Sequence, residues 1–470
     1  MGQFSYPPGA CPFMEQISPP NSPADLVVGG AQVLTGTGSR TSFRLGGVAV
    51  KDGRITAVES NVALLGHIGP ETRIVDAEGA ILMPGLINTH CHAACAQHRG
   101  LIENLALEPW LDEVWKAESR YLTPATSRIG AFVGLAELLL SGVTTVMDMF
   151  WIAEPVAEAA AETGIRIATG SWFFDGPGMC GITPDQWLSR AEAFFERWQG
   201  HPLVLPGCYP HGSYTVGPDN LKAAFALAEK KGGHFSTHAA ETATEQKIIQ
   251  ERYGRSVIHH MDHLGLLDPR TVLAHCVHVD DGEIECLAKS GTTVAHNPVS
   301  NLKLGSGIAP VPAMLDAGIN VTLGTDSAIS GNDTDMWLSM RLAALLPKGV
   351  QQDPTVIKPD DVLAMATVNG AKALGLADRL GTIEPGKIAD FILVETRAPH
   401  AAPIYDLATH IIYAAGKSDV RDVFIAGRQV VEDRRLTTID LDYWLTEMRG
   451  LGQLIARGEP LPEELAFHGF

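Results

Sequence analysis

The chain is predicted to be an α/β protein, a (β/α)8 TIM barrel carrying a small composite β-sandwich domain. Three observations predict it. Eight short apolar runs follow one another from Ile81 to Ser327, each followed by a segment of helical periodicity. β-rich segments flank that stretch on both sides. Residues capable of acid-base or metal chemistry gather at the ends of the apolar runs, where barrels of this class carry their active sites.

In chain order, residues 1–23 (MGQFSYPPGACPFMEQISPPNSP) are rich in proline and read as an extended arm. They lack the basic and apolar regions of a signal peptide, so none is expected. In residues 24–80, pieces such as ADLVVGGAQVLT, GGVAVKDGRITAVES and TRIVDAEG alternate with Gly/Asp turns and predict a small sheet. Residues 81–384 make the barrel. Its strand candidates are ILMPGLINTH, TTVMDMF, IRIATGSWFF, LVLPGCYPH, GHFSTHAAE, TVLAHCVHV, TTVAHNPVSN and NVTLGTDS. Between them TSRIGAFVGLAELLLSG, PDNLKAAFALAEKKG and DMWLSMRLAALL are strongly helical. Residues 385–440 return to β character and are expected to rejoin residues 24–80. Residues 441–470 form a tail, helical and then loop-like.

Composition narrows the function classes. Hydrophobic residues make up 45% and charged residues 19% of 470, enough apolar material for a large core. A formal charge of -19 repels nucleic acid and anionic membranes, and no Lys/Arg-rich run offsets it locally. Small molecules are the expected partners. The seven cysteines are scattered and odd in number, which fits a reducing cytoplasm and no disulfide framework.

The strand ends carry the chemistry. The first ends in His90 and His92, whose side chains at i and i+2 point to the same side of an extended chain. The fourth ends in His211 and Tyr214, the fifth in His238 and Glu241, the sixth in His275 and His278, and the eighth in Asp326. Singly each histidine is an ordinary core or loop residue. Together they converge on one mouth of a barrel, and imidazoles with one carboxylate suit Zn²⁺, with Fe²⁺ second. Cys91 and Cys276 alternate with the histidines and are read as packing residues.

These motifs resemble the amidohydrolase superfamily, in its cytosine deaminase-like branch of adenosine, S-adenosylhomocysteine and guanine deaminases and triazine hydrolases. PGLINTHCH, HGSYT, THAAET, LAHCVH, HNPVSNLKLGSGIAPV, LGTDSAISGNDTDMW and LGTIEPGKIADFILV carry the resemblance, from Ala24 to Val430. It implies that His90, His92, His238 and Asp326 ligate a metal. It further implies that His275, with Asp326, holds the attacking water, that Glu241 shuttles protons, and that His211 touches the substrate. Binuclear relatives bridge two ions with a carboxylated lysine after the fourth strand. LVLPGCYPHGSYT has no lysine, so one ion per subunit is expected.

The expected reaction is hydrolytic loss of ammonia from an amino-substituted N-heterocycle such as a purine or pterin. The metal makes hydroxide available at neutral pH, and Glu241 protonates the ring nitrogen. Trp110 and Trp115 are candidates to line the pocket, and Trp172 to stack on a ring. Nucleoside-acting relatives carry a glutamate where this chain has Pro109, and an arginine near Ser171 and Trp172. Both departures favour a free base or flat bicyclic ring over adenosine or S-adenosylhomocysteine. Rival readings are a triazine hydrolase releasing chloride or alkylamine, an S-adenosylhomocysteine or adenosine-type nucleoside deaminase, and a non-catalytic assembly protein, the last disfavoured by the complete donor set. A homo-oligomer is expected from the resemblance.

Overall fold

Leu86–His92, Val143–Asp148, Arg166–Phe173 and Thr271–His275 are unbroken runs of buried residues, as parallel strands covered on both faces must be. In the computed structural model, which describes residues 23–36 and 42–467, they belong to a nine-stranded parallel sheet. The prolines of residues 1–22 lie outside the described residues.

The order across this sheet begins with Val321–Leu323, Thr293–His296, Thr271–His275, His234–Ala239 and Val204–Pro210. It continues with Arg166–Phe173, Val143–Asp148 and Leu86–His92, and closes on Asp326–Ser327. The two edge pieces are separated in the chain only by Gly324 and Thr325, so the sheet is curled round on itself. The eighth predicted strand is thereby split. Its first half pairs with Val294–His296 and its second with Cys91–His92, which seats Asp326 beside the first-strand histidines.

Helices connect the strands and pack on the sheet. Pro124–Leu140 shows why one forms where it does: Thr123 and Thr126 make a reciprocal capping box, and Pro124 occupies the first turn, where its missing N–H costs nothing. Gly130 and Gly134 let this helix press against the turn that follows His92. A Cβ on either would lie 2.2 Å from the carbonyl oxygen of Ala94 or Ala93.

The other strands form one continuous mixed sheet of nine, drawn from before and after the curled sheet. Ile81–Pro84 lies at its centre, parallel to Gln32–Val33 and antiparallel to Phe391–Val394. The predicted single strand ILMPGLINTH is therefore two strands in two sheets. The chain changes sheet at Gly85, where an added Cβ would meet Thr144 at 2.2 Å. Phe391 and Phe424, paired across adjacent strands, stack at 4.5 Å in the core of this sheet. A buried ion pair, Arg166–Asp390 at 3.2 Å, ties the two sheets together. The tail begins with helix Leu441–Arg457, whose Trp444 stacks on Phe132 at 3.8 Å. Among the described residues no helix is long and apolar enough to cross a membrane.

Gly134→Ala forces a Cβ into the backbone of the His92 turn. The expected result is a loss of about 1–3 kcal/mol, read from the denaturant midpoint, together with weaker metal retention. Unchanged stability and metal content would show that the close approach is slack.

Candidate active site

His90, His92, His238, His275 and Asp326 meet at the carboxyl ends of four strands, all nearly buried. Local backbone shape aims them. Ala240, His275, Cys276 and Asp326 all have positive φ (51°, 76°, 46° and 60°), which non-glycine residues seldom adopt outside sites that over-determine the chain.

Hydrogen bonds then fix which ring nitrogen faces inward. His92 Nδ1 donates to the Met149 carbonyl and His238 Nδ1 to the His211 carbonyl at 2.6 Å, since a carbonyl can only accept. His275 Nδ1 donates to Asn301 Oδ1 at 2.8 Å. The Nε2 atoms are left facing the centre. Those of His92 and His238 lie 3.4 Å apart, and His90 Nε2 is buried without a hydrogen-bond partner. Asp326 Oδ1 lies 3.2 Å from His92 Nε2 and 3.6 Å from His90 Nε2, while Ser300 donates to its Oδ2 at 2.5 Å. Two overlapping trios, His90/His92/His238 and His90/His275/Asp326, have donor atoms close enough to hold one metal ion.

Electrostatics divide the roles. Burial pushes His90 down to about 4, and burial with the neighbouring imidazoles pushes His211 to about 3 and His238 well below the usual range. Burial also works against charge on His92 and Asp326, but their mutual contact overcomes it, holding His92 up and Asp326 well down. Glu241 behaves oppositely. Burial, then the Asp326 carboxylate, raises it well above the usual carboxylate range despite the Ser306 hydroxyl at 3.4 Å. Its Oε2 lies 3.6 Å from His275 Nε2, and its backbone N–H donates to Glu245.

The cleft over these residues is walled by aromatic rings. Trp172 lies 5.1 Å from His211, and Trp115 lies 5.8 Å from it. Trp110 is also in the lining, on the same helix Leu107–Tyr121 as Trp115. All ten predicted site residues are thus brought to one cleft. Among the lining residues that the sequence reading missed are Glu118, Phe150 and Trp151. Glu118 left a signal. It occupies an apolar-stripe position of its helix, in register with Leu107, Trp110, Val114 and Tyr121, where a carboxylate has no packing reason to be. Burial raises it to about 7, and Trp151 Nε1 donates to it at 2.9 Å.

Residues 81–430 match the family model described as Amidohydrolase family. The chain belongs to the amidohydrolase family. A curated relative from Syntrophobacter fumaroxidans, named 5-methylthioadenosine/S-adenosylhomocysteine deaminase, is 39% identical over 93% of this chain and 99% of its own length. A 5'-deoxyadenosine deaminase from Methanosarcina mazei is 35% identical over 92% and 99%. Among solved structures, a zinc-bound adenosine deaminase from Xanthomonas campestris superposes with a TM-score of 0.90 at 33% identity, covering 93% of this amidohydrolase and 100% of that chain.

Glu118→Gln tests the cost of burying that carboxylate. A folded-state pKa raised from 4.5 to about 7 means the folded chain binds the proton more tightly, so this group's contribution to stability is lost as pH rises from 4.5 through 7. At roughly 1.4 kcal/mol per pKa unit, the substitution is expected to remove a penalty of up to roughly 3.5 kcal/mol above pH 7 and to flatten the pH–stability curve. A variant with wild-type pH dependence would refute the assignment.

Proposed function

We propose that this amidohydrolase is a metal-dependent hydrolytic deaminase that releases ammonia from an adenosine-type nucleoside modified at its 5′ position. The observation that carries the reading is the juxtaposition of Glu241, its carboxyl pushed up by burial, with the histidine and aspartate cluster under an aromatic cleft. The names of the relatives supply the substrate class. They favour nucleosides over the free base that Pro109 suggests. Glu118, nine residues beyond Pro109 in the same helix, offers the cleft a buried carboxyl group able to hydrogen-bond sugar hydroxyls.

The donor set passes a test of fit to a divalent cation. Neutral imidazole lone pairs at 3.4 Å, with an orphaned His90 Nε2 and an anionic Asp326 beside them, repel or go unsatisfied unless a cation lies between them. We assign His90, His92, His238 and Asp326 as its ligands, one ion per subunit, with Zn²⁺ the best match to three imidazoles and a carboxylate. When bound, such an ion acts as a Lewis acid and brings the pKa of water toward neutrality.

The chain's own residues do the rest. His275, its Nδ1 proton committed to Asn301, presents Nε2 to orient the attacking water. Glu241 gives its proton to the ring nitrogen next to the amino-bearing carbon as the water oxygen adds there, so that negative charge does not accumulate on the ring. The resulting carboxylate takes up one proton of the added water and passes it to the amino group, then takes up the second as the C–N bond breaks, so that ammonia leaves, the ring carbon becomes a carbonyl and Glu241 is again protonated. Trp172 and Trp115 exclude water and stack on the ring, and His211, tied to Thr215 at 2.8 Å, fixes its edge.

At the level of architecture, we read the curled sheet as a (β/α)8 barrel over residues 81–384. The mixed sheet is its companion sandwich, built from residues 24–80 and 385–440. The six described cysteines are all free thiols, which supports a reducing compartment.

Glu241→Gln is expected to keep full metal content and lose kcat by about 10²–10⁴-fold in an ammonia-release assay. Near wild-type kcat at full occupancy would sink the role given to Glu241. Removing metal with a chelator should abolish turnover and lower the melting temperature, and added Zn²⁺ should restore both. Substrate class is decided by comparing ammonia release from 5′-modified adenosines, adenine, guanine and aminotriazines. Turnover confined to the free bases or triazines would overturn the nucleoside reading.

A further inference from the structure

At the amino-terminal end of the curled sheet, opposite the histidine cluster, lies a second cavity of about 520 Å³. Its walls are the starts of strands Arg166–Phe173, Val204–Pro210 and His234–Ala239, the turn Pro269–Arg270, and residues 373–379 after the last helix of the curled-sheet region. The volume falls within the several hundred Å³ typical of small-molecule sites.

Charge makes this cavity unusual for the chain. The protein has 54 acidic and 35 basic residues, yet Arg166, Lys231, Arg270 and Arg379 line the cavity and no carboxylate does. Two of these cations are already engaged. Arg166 pairs with Asp390 at 3.2 Å, and Arg270 with Asp268 and Glu229 at 2.5 and 3.0 Å. Lys231 and Arg379 make no ion pair among the described residues, and both reach solvent. Phe195, Leu205, Leu374 and Leu376 add an apolar wall. A local cationic surface on an acidic protein concentrates anions against the field of the whole molecule.

We infer that this cavity binds a phosphorylated small molecule of nucleotide size. Lys231 and Arg379 pair with the phosphate, and the apolar wall takes the organic body. This site is independent of the deaminase reading, because the two ends are separated by the length of the strands, about 20–26 Å for six to eight residues.

The test uses the metal-loaded full chain with uridine monophosphate and inorganic phosphate as probes, the pyrimidine being chosen to avoid the adenosine-type active site. Titration calorimetry at low salt should show saturable binding of uridine monophosphate. The Lys231→Ser/Arg379→Ser double variant should bind it about tenfold or more weakly, and added salt should weaken wild-type binding. Both substituted residues are unpaired, so the variant should keep its fold and its ammonia-release rate, which is measured alongside. Absence of binding at low-millimolar probe, or equal binding by the double variant, overturns the proposal. Phosphate binding as tightly as the nucleotide would overturn the part assigned to the apolar wall.

Discussion

The geometry of the site depends on two hydrogen bonds that involve no side-chain partner. His92 and His238 each commit Nδ1–H to a main-chain carbonyl, of Met149 and His211. Those carbonyls belong to the chain just beyond neighbouring strands, so the orientation of each ring is set by the sheet itself. This is what brings two Nε2 lone pairs to 3.4 Å, a spacing that neutral imidazoles would not choose. An ion bound there draws on orientation supplied by the backbone, and the ordering cost is met on folding rather than on binding.

The rest of the architecture supports that arrangement. Positive φ at Ala240, His275, Cys276 and Asp326 places four costly residues at the strand ends. What holds them is the closure of the curled sheet through Asp326–Ser327 and the pressure of helix Pro124–Leu140 on the turn after His92. Glu241 is treated the same way: its backbone is fixed by Glu245 and its carboxyl by Ser306, so the carboxyl is held beside His275 in a fixed place. Sequence separation among these partners is large, which makes the site a property of the closed sheet and not of any one segment.

Much of this was legible in the sequence, for a physical reason. Parallel strands buried on both faces leave plain apolar runs, and a histidine or aspartate ending such a run stands out against them. The donor set and Glu241 were readable that way. Pairing was less so. In ILMPGLINTH the apolar run resumes after Pro84–Gly85 with Leu86 and Ile87, and that dipeptide marks a break without telling that the first four residues hydrogen-bond in a different sheet. The break in the last strand at Gly324 and Thr325 is likewise a consequence of closure. Glu118 lies nine residues from Pro109, outside the linear motifs that carry the family resemblance. A residue's place in a linear motif does not determine what a helix turns toward a cleft, whereas its place on the apolar stripe does.

Glu118 and Glu241 also show what the cleft costs the fold. Both are carboxyl groups whose proton affinity is raised chiefly by burial, in a chain whose net charge is -19. An acid that serves as proton donor near neutral pH must be held where its charged form is poorly solvated, and that environment stabilises the fold least where the group would otherwise ionise. Asp326 stands at the other extreme, ionised in the same cleft because two imidazoles face it. Two carboxyl groups lining one cleft are thus pushed in opposite directions. That difference is maintained by which donors the curled sheet points at each, and it is the chemical content of the fold.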